Sequence, residues 1–260
     1  MQDIRLIVTD LDNTLLTSDK TISAYTASVL NQCQQRGYPV VFATARPVRA
    51  AARFFSSVTP DFVIANNGAT ILQGAVVLAG HPIEPKVAAP LLRQLHDEPA
   101  VTCMSAEVGH CLYMDLDVPA WEEGWNPVHH DFAELPEGEI VKISTECRNV
   151  SVVRKILAAY PYLHLYENNG EAWQQIIHES ATKWNALQLI AGKLGISPTQ
   201  TVAFGDDDND VEMIRNCGVG VAVENAVPAV RQTADFICGH HDADGAAHWL
   251  EAYLLREENG

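Results

Sequence analysis

Short apolar runs rich in β-branched residues recur near both ends of the chain, and each run stops at polar or glycine residues. Because the runs are nearly continuous rather than alternating, they predict strands buried on both faces of a parallel sheet. The runs are "IRLIVTD" (4–10), "YPVVFATA" (38–45), "DFVIANNG" (61–68), "TVAFGD" (201–206) and "GVGVAV" (218–223).

Helical patterns lie between these predicted strands. "SAYTASVLNQCQQRG" has Ser23 as a candidate N-cap and Gly37 as a stop. "PVRAAARFFSSV" opens with Pro47, which suits the first position of a helix. "SATKWNALQLIAGKLG" runs from a candidate cap at Ser180 to Gly195. Strand and helix therefore alternate at both ends of the chain, which predicts a doubly wound α/β domain with a parallel sheet.

The middle of the chain has a different pattern. It contains two helices, each followed by a pair of short strands, and one further strand between them. The helices are "EPKVAAPLLRQLHD" and "RNVSVVRKILAAY", and the strands are "VTCMSA", "CLYMDL", "EIVKIST", "YLHLYEN" and "AWQQIIHE". Asn169-Gly170 between the last two strands is a strong hairpin signal. Because the first pattern resumes after Ser180, we assign residues 82–179 to an inserted α+β domain and residues 1–81 and 180–260 to the α/β domain.

Composition narrows the classes of function. The chain has 260 residues, 47% of them hydrophobic and 19% charged, which is typical of a globular protein. A formal net charge of −16 argues against nucleic-acid binding, which needs a basic face. Six scattered cysteines without a CxxC pair favour reduced thiols over a disulfide framework or a zinc site. No signal peptide and no 18-residue apolar run are visible, so we expect a cytoplasmic monomer or homodimer with no membrane partner.

Polar residues cluster where the predicted parallel strands end. They are Asp10, Asp12 and Thr14 after the first strand, Thr44 and Arg46 after the second, Asn66 and Asn67 after the third, and Asp206 to Asp210 after the fourth. Ligands of open parallel sheets bind beyond the carboxyl ends of the strands. Lys183, in the first turn of its helix, is expected on the same rim. We therefore expect carboxylates from two distant segments to meet in one crevice.

Such a cluster of carboxylates requires a cation. An all-oxygen set with few ligands in each segment suits Mg²⁺, which shares its coordination sphere with waters and phosphate. A calcium loop of the EF-hand type does not fit, because Val211 stands where glycine is needed and Cys217 where glutamate is needed. The chemistry that follows is phosphoryl transfer, in which one carboxylate attacks phosphorus and a second exchanges a proton. Asp10-Leu11-Asp12 supplies such a pair.

Four motifs resemble those of the haloacid dehalogenase superfamily. They are "DLDNTL" (10–15), "ATAR" (43–46), Lys183 and "GDDDND" (205–210). "NNGA" (66–69), "VAVENA" (221–226) and "DADGAAHWL" (242–250) resemble accessory signatures of its Cof-type subfamily IIB, which carries a cap between the second and third motifs. The resemblance implies a Rossmann-like haloacid dehalogenase core with an inserted α+β cap that determines substrate specificity.

The resemblance also implies a role for each matched residue. Asp10 would be the nucleophile that forms an aspartyl-phosphate, and Asp12 the general acid and base. Thr44, Lys183 and Asn209 would bind the transferring phosphate. The metal ligands would be Asp10, the backbone carbonyl of Asp12, and Asp206, while Asp210 would hold Lys183 or the waters of the metal. Arg46 and Asn67 would have supporting roles.

Three functions are compatible with these residues. The first is a Mg²⁺-dependent phosphatase of small phosphorylated metabolites, such as sugar phosphates or phosphorylated cofactors. The second is a phosphomutase on the same scaffold, which would also use an aspartyl-phosphate. The third is a non-catalytic module that binds a phosphorylated ligand; it is disfavoured because such a module does not need Asp12 as a proton donor.

Other polar and aromatic residues have simpler interpretations. We expect Asp207 and Asp208 to be charges at a helix N-terminus rather than metal ligands. His129 and His130 are expected in a solvated loop. Trp121, Trp125 and Trp173 are expected to build the core of the inserted domain.

Overall fold

The computed structural model describes residues 3–116, 126–167 and 173–256. The strands in these ranges are β1 (Leu6–Thr9), β2 (Val40–Ala43), β3 (Phe62–Ala65), β4 (Thr70–Gln73), β5 (Val76–Gly80), β6 (Val101–Val108), β7 (Cys111–Met114), β8 (Pro127–His129), β9 (Ile140–Cys147), β10 (Leu163–Glu167), β11 (Trp173–His178), β12 (Thr201–Gly205), β13 (Val219–Ala222) and β14 (Phe236–Ile237). The α-helices are α1 (Ala24–Gln35), α2 (Val48–Ala51), α3 (Pro85–His96), α4 (Val150–Leu157), α5 (Lys183–Leu194), α6 (Val211–Asn216), α7 (Pro228–Thr233) and α8 (Gly245–Leu250). Short 3₁₀-helices cover Ala52–Phe54, Asn66–Gly68, Pro198–Gln200, Asp208–Asp210 and His241–Ala243, and a π-helix covers Glu251–Leu255.

The larger sheet has eight strands in the order β14-β13-β12-β1-β2-β3-β4-β5. The pairs from β14 to β3 are parallel, and β4 joins β3 antiparallel. The five strands predicted from the apolar runs are confirmed and form the centre of this sheet. Their side chains are buried on both faces, as the continuous pattern predicted. The carboxyl ends of β1, β2 and β12 therefore open on the same edge of the sheet.

Two helix starts differ from the sequence prediction. The predicted cap Ser180 is wrong, because Thr182 occupies the N-cap of α5 and its hydroxyl accepts a hydrogen bond from the Asn185 amide at 3.0 Å. Pro47 is the N-cap of α2 rather than its first helical residue, and α2 is a single turn that continues as a 3₁₀-helix. The predicted Ser23 cap is confirmed, since its hydroxyl accepts from the Thr26 amide.

The smaller sheet has six strands in the order β10-β11-β9-β6-β7-β8. All neighbouring pairs are antiparallel except β7 and β8. Helices α3 and α4 cover one of its faces with an apolar cluster that includes Leu91, Leu92, Met104, Ile143 and Val153. The predicted helices and strands of the inserted segment are confirmed, whereas the sequence pattern did not reveal β8.

The aromatic and histidine residues of this segment have mixed outcomes. Trp173 is half-buried and packs on a small apolar cluster of Cys103, Leu112 and Met114. The predicted loop is wrong for His129, which is the last residue of β8, although its side chain is exposed as expected. The His130 side chain follows the strand and is half-buried. Trp121 and Trp125, and the Asn169-Gly170 turn, lie outside the described residues.

The described residues form two compact units. The first lies within Met1–Ala45, Phe54–Leu78 and Thr182–Gly260, and the second within Arg46–Arg53 and Ala79–Ala181. The functional interpretation of residues 1–81 and 180–260 as a core and residues 82–179 as a cap stays a prediction. Over the described part of the chain, every helix is too short or too polar to cross a lipid bilayer.

Candidate active site

A buried lysine joins three segments at the carboxyl edge of the larger sheet. Lys183, in the first turn of α5, is 2% exposed. Its Nζ donates to Oδ1 of Asp10 at 2.8 Å, directly beyond β1, and to Oδ1 of Asp210 at 2.7 Å, beyond β12. A longer contact of 3.4 Å reaches Oδ1 of Asn209. The structure therefore brings three other predicted site residues to the ammonium group of Lys183.

The loop after β12 folds back on itself to present Asp210. Oδ2 of Asp210 accepts hydrogen bonds from the backbone amides of Asp206 at 3.1 Å and Asp207 at 3.2 Å. Gly205 makes this fold possible, because a Cβ there would lie 2.5 Å from Cγ of Asp210. Asp207 caps the 3₁₀-helix by accepting from the Asp208 amide, and both side chains are exposed, as expected of helix N-terminal charges.

Asp206 completes a cluster of buried carboxylates. Its Oδ1 accepts from the Thr14 hydroxyl at 2.7 Å. One carboxylate oxygen each from Asp10, Asp206 and Asp210 lie within 4.8 Å of one another. Burial raises the pKa of Asp206 to about 6, and the nearby Asp210 adds to the rise. Burial also raises the pKa of Asp10 well above its ordinary value; Lys183 opposes this rise, while Asp210 and Asp206 increase it.

The cluster fits a hard divalent cation. Burial is the main cause of the raised pKa values of Asp10 and Asp206, and the neighbouring carboxylates add to it although Lys183 opposes the rise. A bound cation would favour the charged form of both carboxylates. Both oxygens of Asp210 already accept from Lys183 or from backbone amides. Asp10 and Asp206 are therefore the side chains best placed to hold a metal ion, and their oxygen donors suit Mg²⁺ or a similar cation.

Asp12 lies nearer to solvent than Asp10. Its side chain is 30% exposed, and its Oδ1 accepts from Nζ of Lys20 at 3.0 Å. Lys20 lies in a tight turn with φ of +55°, where its amide donates to the carbonyl of Thr17. Sequence reasoning did not single out Lys20, and only its short distance along the chain from Asp12 could have suggested the pair.

The ends of β2 and β3 contribute a third side to the site. Thr44 is buried, and its carbonyl accepts from the Asn67 amide at 3.0 Å. Asn67, with φ of +57°, accepts from Nδ2 of Asn209 at 2.8 Å. These contacts connect the second and third strand ends to the loop that holds Asp210. Arg46 belongs to the second unit, so its supporting role stays a prediction.

The loop after β1 is fastened by the C-terminal part of the chain. Asp242 accepts from the amide and the hydroxyl of Ser18 at 2.6 and 2.7 Å. Asp244 accepts from the hydroxyls of Ser23 and Thr26 at 2.6 and 2.8 Å. Asn225 donates to the carbonyl of Asn13, and a ring nitrogen of His241 lies 2.8 Å from the carbonyl of Leu16. The segments "VENA" and "DADG" thus hold the loop that carries Asp12.

Comparison with known proteins agrees with this geometry. The family profile of haloacid dehalogenase-like hydrolases matches residues 7–250. The chain belongs to this family. The match covers both sides of the buried cluster, from Asp10 to Asp210, and the inserted segment between them.

Among relatives of this haloacid dehalogenase-like hydrolase are enzymes that act on phosphorylated metabolites. It is 29% identical to the 5-amino-6-(5-phospho-D-ribitylamino)uracil phosphatase of Bacillus subtilis, over 96% of this chain and 97% of the relative. It is 26% identical to the HMP-PP phosphatase of Cronobacter sakazakii, over 96% of each chain. A sugar phosphatase of haloacid dehalogenase subclass IIB has the same fold, with a TM-score of 0.82 at 20% identity, over 96% of this chain and 98% of that one.

These findings confirm three predictions. The fold is that of the haloacid dehalogenase superfamily, the resemblance to the Cof-type IIB subfamily holds, and the protein is an enzyme of the phosphatase class.

Proposed function

We propose that this enzyme is a Mg²⁺-dependent phosphatase of small phosphorylated metabolites that works through an aspartyl-phosphate on Asp10. The observation that carries the proposal is the position of Lys183 between Asp10 and Asp210, with Asp206 beside them. This arrangement supplies a nucleophile, a fixed positive charge and a candidate metal site at one edge of the sheet.

In the proposed mechanism, one carboxylate is the nucleophile and a second transfers protons. Asp10 attacks phosphorus, and the bond from phosphorus to the leaving oxygen breaks as Asp12 gives that oxygen its proton. Asp12 then takes a proton from water, the water oxygen attacks phosphorus, and Asp10 is released with inorganic phosphate as product. The partly exposed side chain of Asp12 suits this exchange, because it must reach both the leaving group and water.

The remaining site residues position the phosphoryl group. Lys183 offers a buried positive charge to the phosphoryl oxygens, while Thr44 and Asn209 are proposed as hydrogen-bond donors to them. Mg²⁺, held by Asp10, Asp206 and the backbone carbonyl of Asp12, would offset the negative charge of the carboxylates and of the phosphoryl group. Asp210 keeps Lys183 in place, and Asn67 supports Asn209.

The relatives support the substrate class. One is named for a phosphorylated ribitylaminouracil and another for HMP-PP, and a third protein of the same fold is named a sugar phosphatase. We therefore propose phosphorylated cofactor intermediates or sugar phosphates as substrates, with residues 82–179 acting as a cap that excludes water and selects the substrate.

The proposal is tested by hydrolysis of p-nitrophenyl phosphate with Mg²⁺. Asp10→Asn removes the nucleophile and keeps the shape of the side chain, so we expect kcat to fall at least about 10³-fold. Removal of divalent metal with EDTA should have a similar effect. Asp207→Asn, a change of an exposed carboxylate in the same loop, should keep wild-type activity. Wild-type rates in EDTA or in Asp10→Asn would overturn the proposal.

A further inference from the structure

A lysine in the loop after β1 contacts the proposed proton donor. Nζ of Lys20 donates to Oδ1 of Asp12 at 3.0 Å. Both residues belong to the first unit, and both side chains are partly exposed. In the proposed mechanism Asp12 gives a proton to the leaving oxygen, so Lys20 touches the group on which departure of the leaving group depends.

The backbone at Lys20 has a conformation that lysine rarely adopts. Its φ is +55°. Among the described residues of the first unit, the other non-glycine residues with positive φ are asparagines and an aspartate, which tolerate this conformation better. Strain of this kind is concentrated at functional sites. A lysine here therefore carries a conformational cost that asparagine would largely avoid.

Hydrogen bonds hold the turn that carries Lys20. The Thr17 amide donates to the carbonyl of Thr21 at 3.0 Å, and the Lys20 amide donates to the carbonyl of Thr17 at 2.8 Å. Ser18, inside the turn, donates its amide and its hydroxyl to Asp242 at 2.6 and 2.7 Å. The turn is therefore closed on itself and attached to the C-terminal part of the chain, so the side chain of Lys20 starts from a fixed backbone.

The pair of Lys20 and Asp12 contributes little to stability but fixes an orientation. Partly exposed ion pairs add little to the free energy of unfolding, because water screens the charges and both side chains must be ordered. This small gain does not account for a strained backbone at Lys20. Because the contact is to Oδ1, it distinguishes one oxygen of the Asp12 carboxylate from the other.

We propose that Lys20 is a positioning residue that orients Asp12 for proton transfer to the leaving oxygen. This inference rests on the proposed phosphatase function and extends it to a residue outside the family motifs. With Oδ1 held by Lys20, the proton resides on Oδ2 and passes to the leaving oxygen as the bond from that oxygen to phosphorus breaks. The carboxylate that remains on Asp12 then lies beside the positive charge of Lys20, which stabilises it.

The test compares two aryl phosphates whose leaving groups differ in their need for a proton. p-Nitrophenolate is a stable anion and leaves without one, whereas the phenolate of phenyl phosphate is a stronger base and depends more on the acid. The full-length enzyme is assayed with Mg²⁺. Lys20→Met keeps the length of the side chain and removes its charge. We expect it to lower kcat/KM for phenyl phosphate about fivefold or more relative to kcat/KM for p-nitrophenyl phosphate.

Two further variants assign this effect to the charge at position 20. Lys20→Arg keeps a positive charge and should keep most of the wild-type ratio of kcat/KM for the two esters. Lys193→Met removes an exposed lysine from the last turn of α5, and as the matched control it should keep the wild-type ratio. A ratio as low in Lys20→Arg or in Lys193→Met as in Lys20→Met would overturn the inference.

Lys20→Asn separates positioning from stability. It removes the ammonium group and suits positive φ, so we expect the same loss of the ratio together with a urea midpoint at or above that of wild type. A lower urea midpoint, an equal fall of kcat/KM for both esters, or an unchanged ratio in Lys20→Asn would overturn the inference. Absence of wild-type turnover of both esters would instead overturn the proposed function, and the inference with it.

Discussion

Lys183 keeps its charge inside the protein because carboxylates flank it. Burial alone would lower the pKa of this lysine, but Asp10 and Asp210 raise it above its ordinary value. Both carboxylates lie within hydrogen-bond distance of Nζ. The lysine is therefore a permanent positive charge at the place where we propose the phosphoryl group binds.

Asp206 makes the stability of the metal-free enzyme dependent on pH. Its folded-state pKa of about 6 exceeds that of an unfolded aspartate, so the folded state holds this proton more tightly. The resulting stabilisation is present below about pH 4 and is lost as the pH rises through 6. At pH 8 in EDTA, Asp206→Asn should therefore be more stable than wild type, with a free energy of unfolding about 1–3 kcal/mol higher.

Urea denaturation at pH 8 and near pH 4 measures this difference. The advantage of Asp206→Asn should shrink at the lower pH, and Mg²⁺ should stabilise wild type but not the variant. Asp207→Asn, with its exposed side chain, should follow wild type at both values. If wild type is at least as stable as Asp206→Asn at pH 8 in EDTA, the ionised Asp206 carboxylate does not destabilise the metal-free enzyme, and the prediction is wrong.

The sequence predicted that the charged residues lie together at one edge of the larger sheet, but it did not predict all of their hydrogen-bond partners. The meeting of Asp10 and Asp206 follows from the rule that the ends of parallel strands share one edge, which needs no knowledge of side-chain geometry. Lys183 was expected on the same rim because it lies in the first turn of its helix. The pairing of Asp12 with Lys20 depends on a turn with positive φ, which the local residues do not reveal.

At the scale of elements, the loop after β3 depends on one glycine. Gly68 has φ of +106°, and a Cβ there would overlap the carbonyl oxygen of Thr182 at the start of α5. Helix α5 carries Lys183 in its first turn, so this close approach helps set the position of the lysine.

Gly68→Ala should therefore destabilise the protein. Strained backbone and steric overlap should lower the free energy of unfolding by about 1–3 kcal/mol. Gly192→Ala is the matched control, because Gly192 lies in the last turn of α5 and a Cβ there would meet nothing within 4 Å. That control should stabilise by about 0.5–1 kcal/mol. Urea denaturation measures both changes in the free energy of unfolding. Equal denaturation midpoints for Gly68→Ala and wild type would show that the close approach of Gly68 to Thr182 does not need a glycine.

Short or exposed elements were beyond sequence prediction. In β5, Val76 is 62% exposed and Val77 55%, so this apolar run does not mark a buried strand. Strand β14 has only two residues, too few to show a period. Helices α6, α7 and α8 each have six residues, less than two full turns of helical repeat.

At the scale of the whole molecule, the two ends of the chain close on one another in the first unit. Asp244 takes hydrogen bonds from Ser23 and Thr26, which lie more than 200 positions earlier in the chain. The sequence predicted that the α/β pattern resumes after the insertion. It did not predict that Arg46–Arg53 would group with Ala79–Ala181, because no change of composition marks that segment.

Asp244→Ala should remove the hydrogen bonds that Ser23 and Thr26 donate to Asp244 and so destabilise the protein. Two hydroxyl groups lose their acceptor, and alanine tolerates the φ of +53° poorly, so we expect a loss of about 1–3 kcal/mol in the free energy of unfolding. Asp244→Asn keeps an acceptor oxygen and suits positive φ, so its loss should be smaller. Thermal or urea denaturation compares the two, and a stability of Asp244→Ala equal to wild type would contradict the prediction.

The central claim is that Asp10 becomes phosphorylated during turnover. It is tested most directly by acid quench of the enzyme with Mg²⁺ and p-nitrophenyl phosphate, followed by borohydride reduction, which converts an aspartyl-phosphate to homoserine. Mass spectrometry of the peptide that contains "DLDNTL" should show homoserine at position 10 only when substrate is present, and not in Asp10→Asn. Turnover with position 10 unmodified, or modification of another carboxylate in its place, would contradict the account.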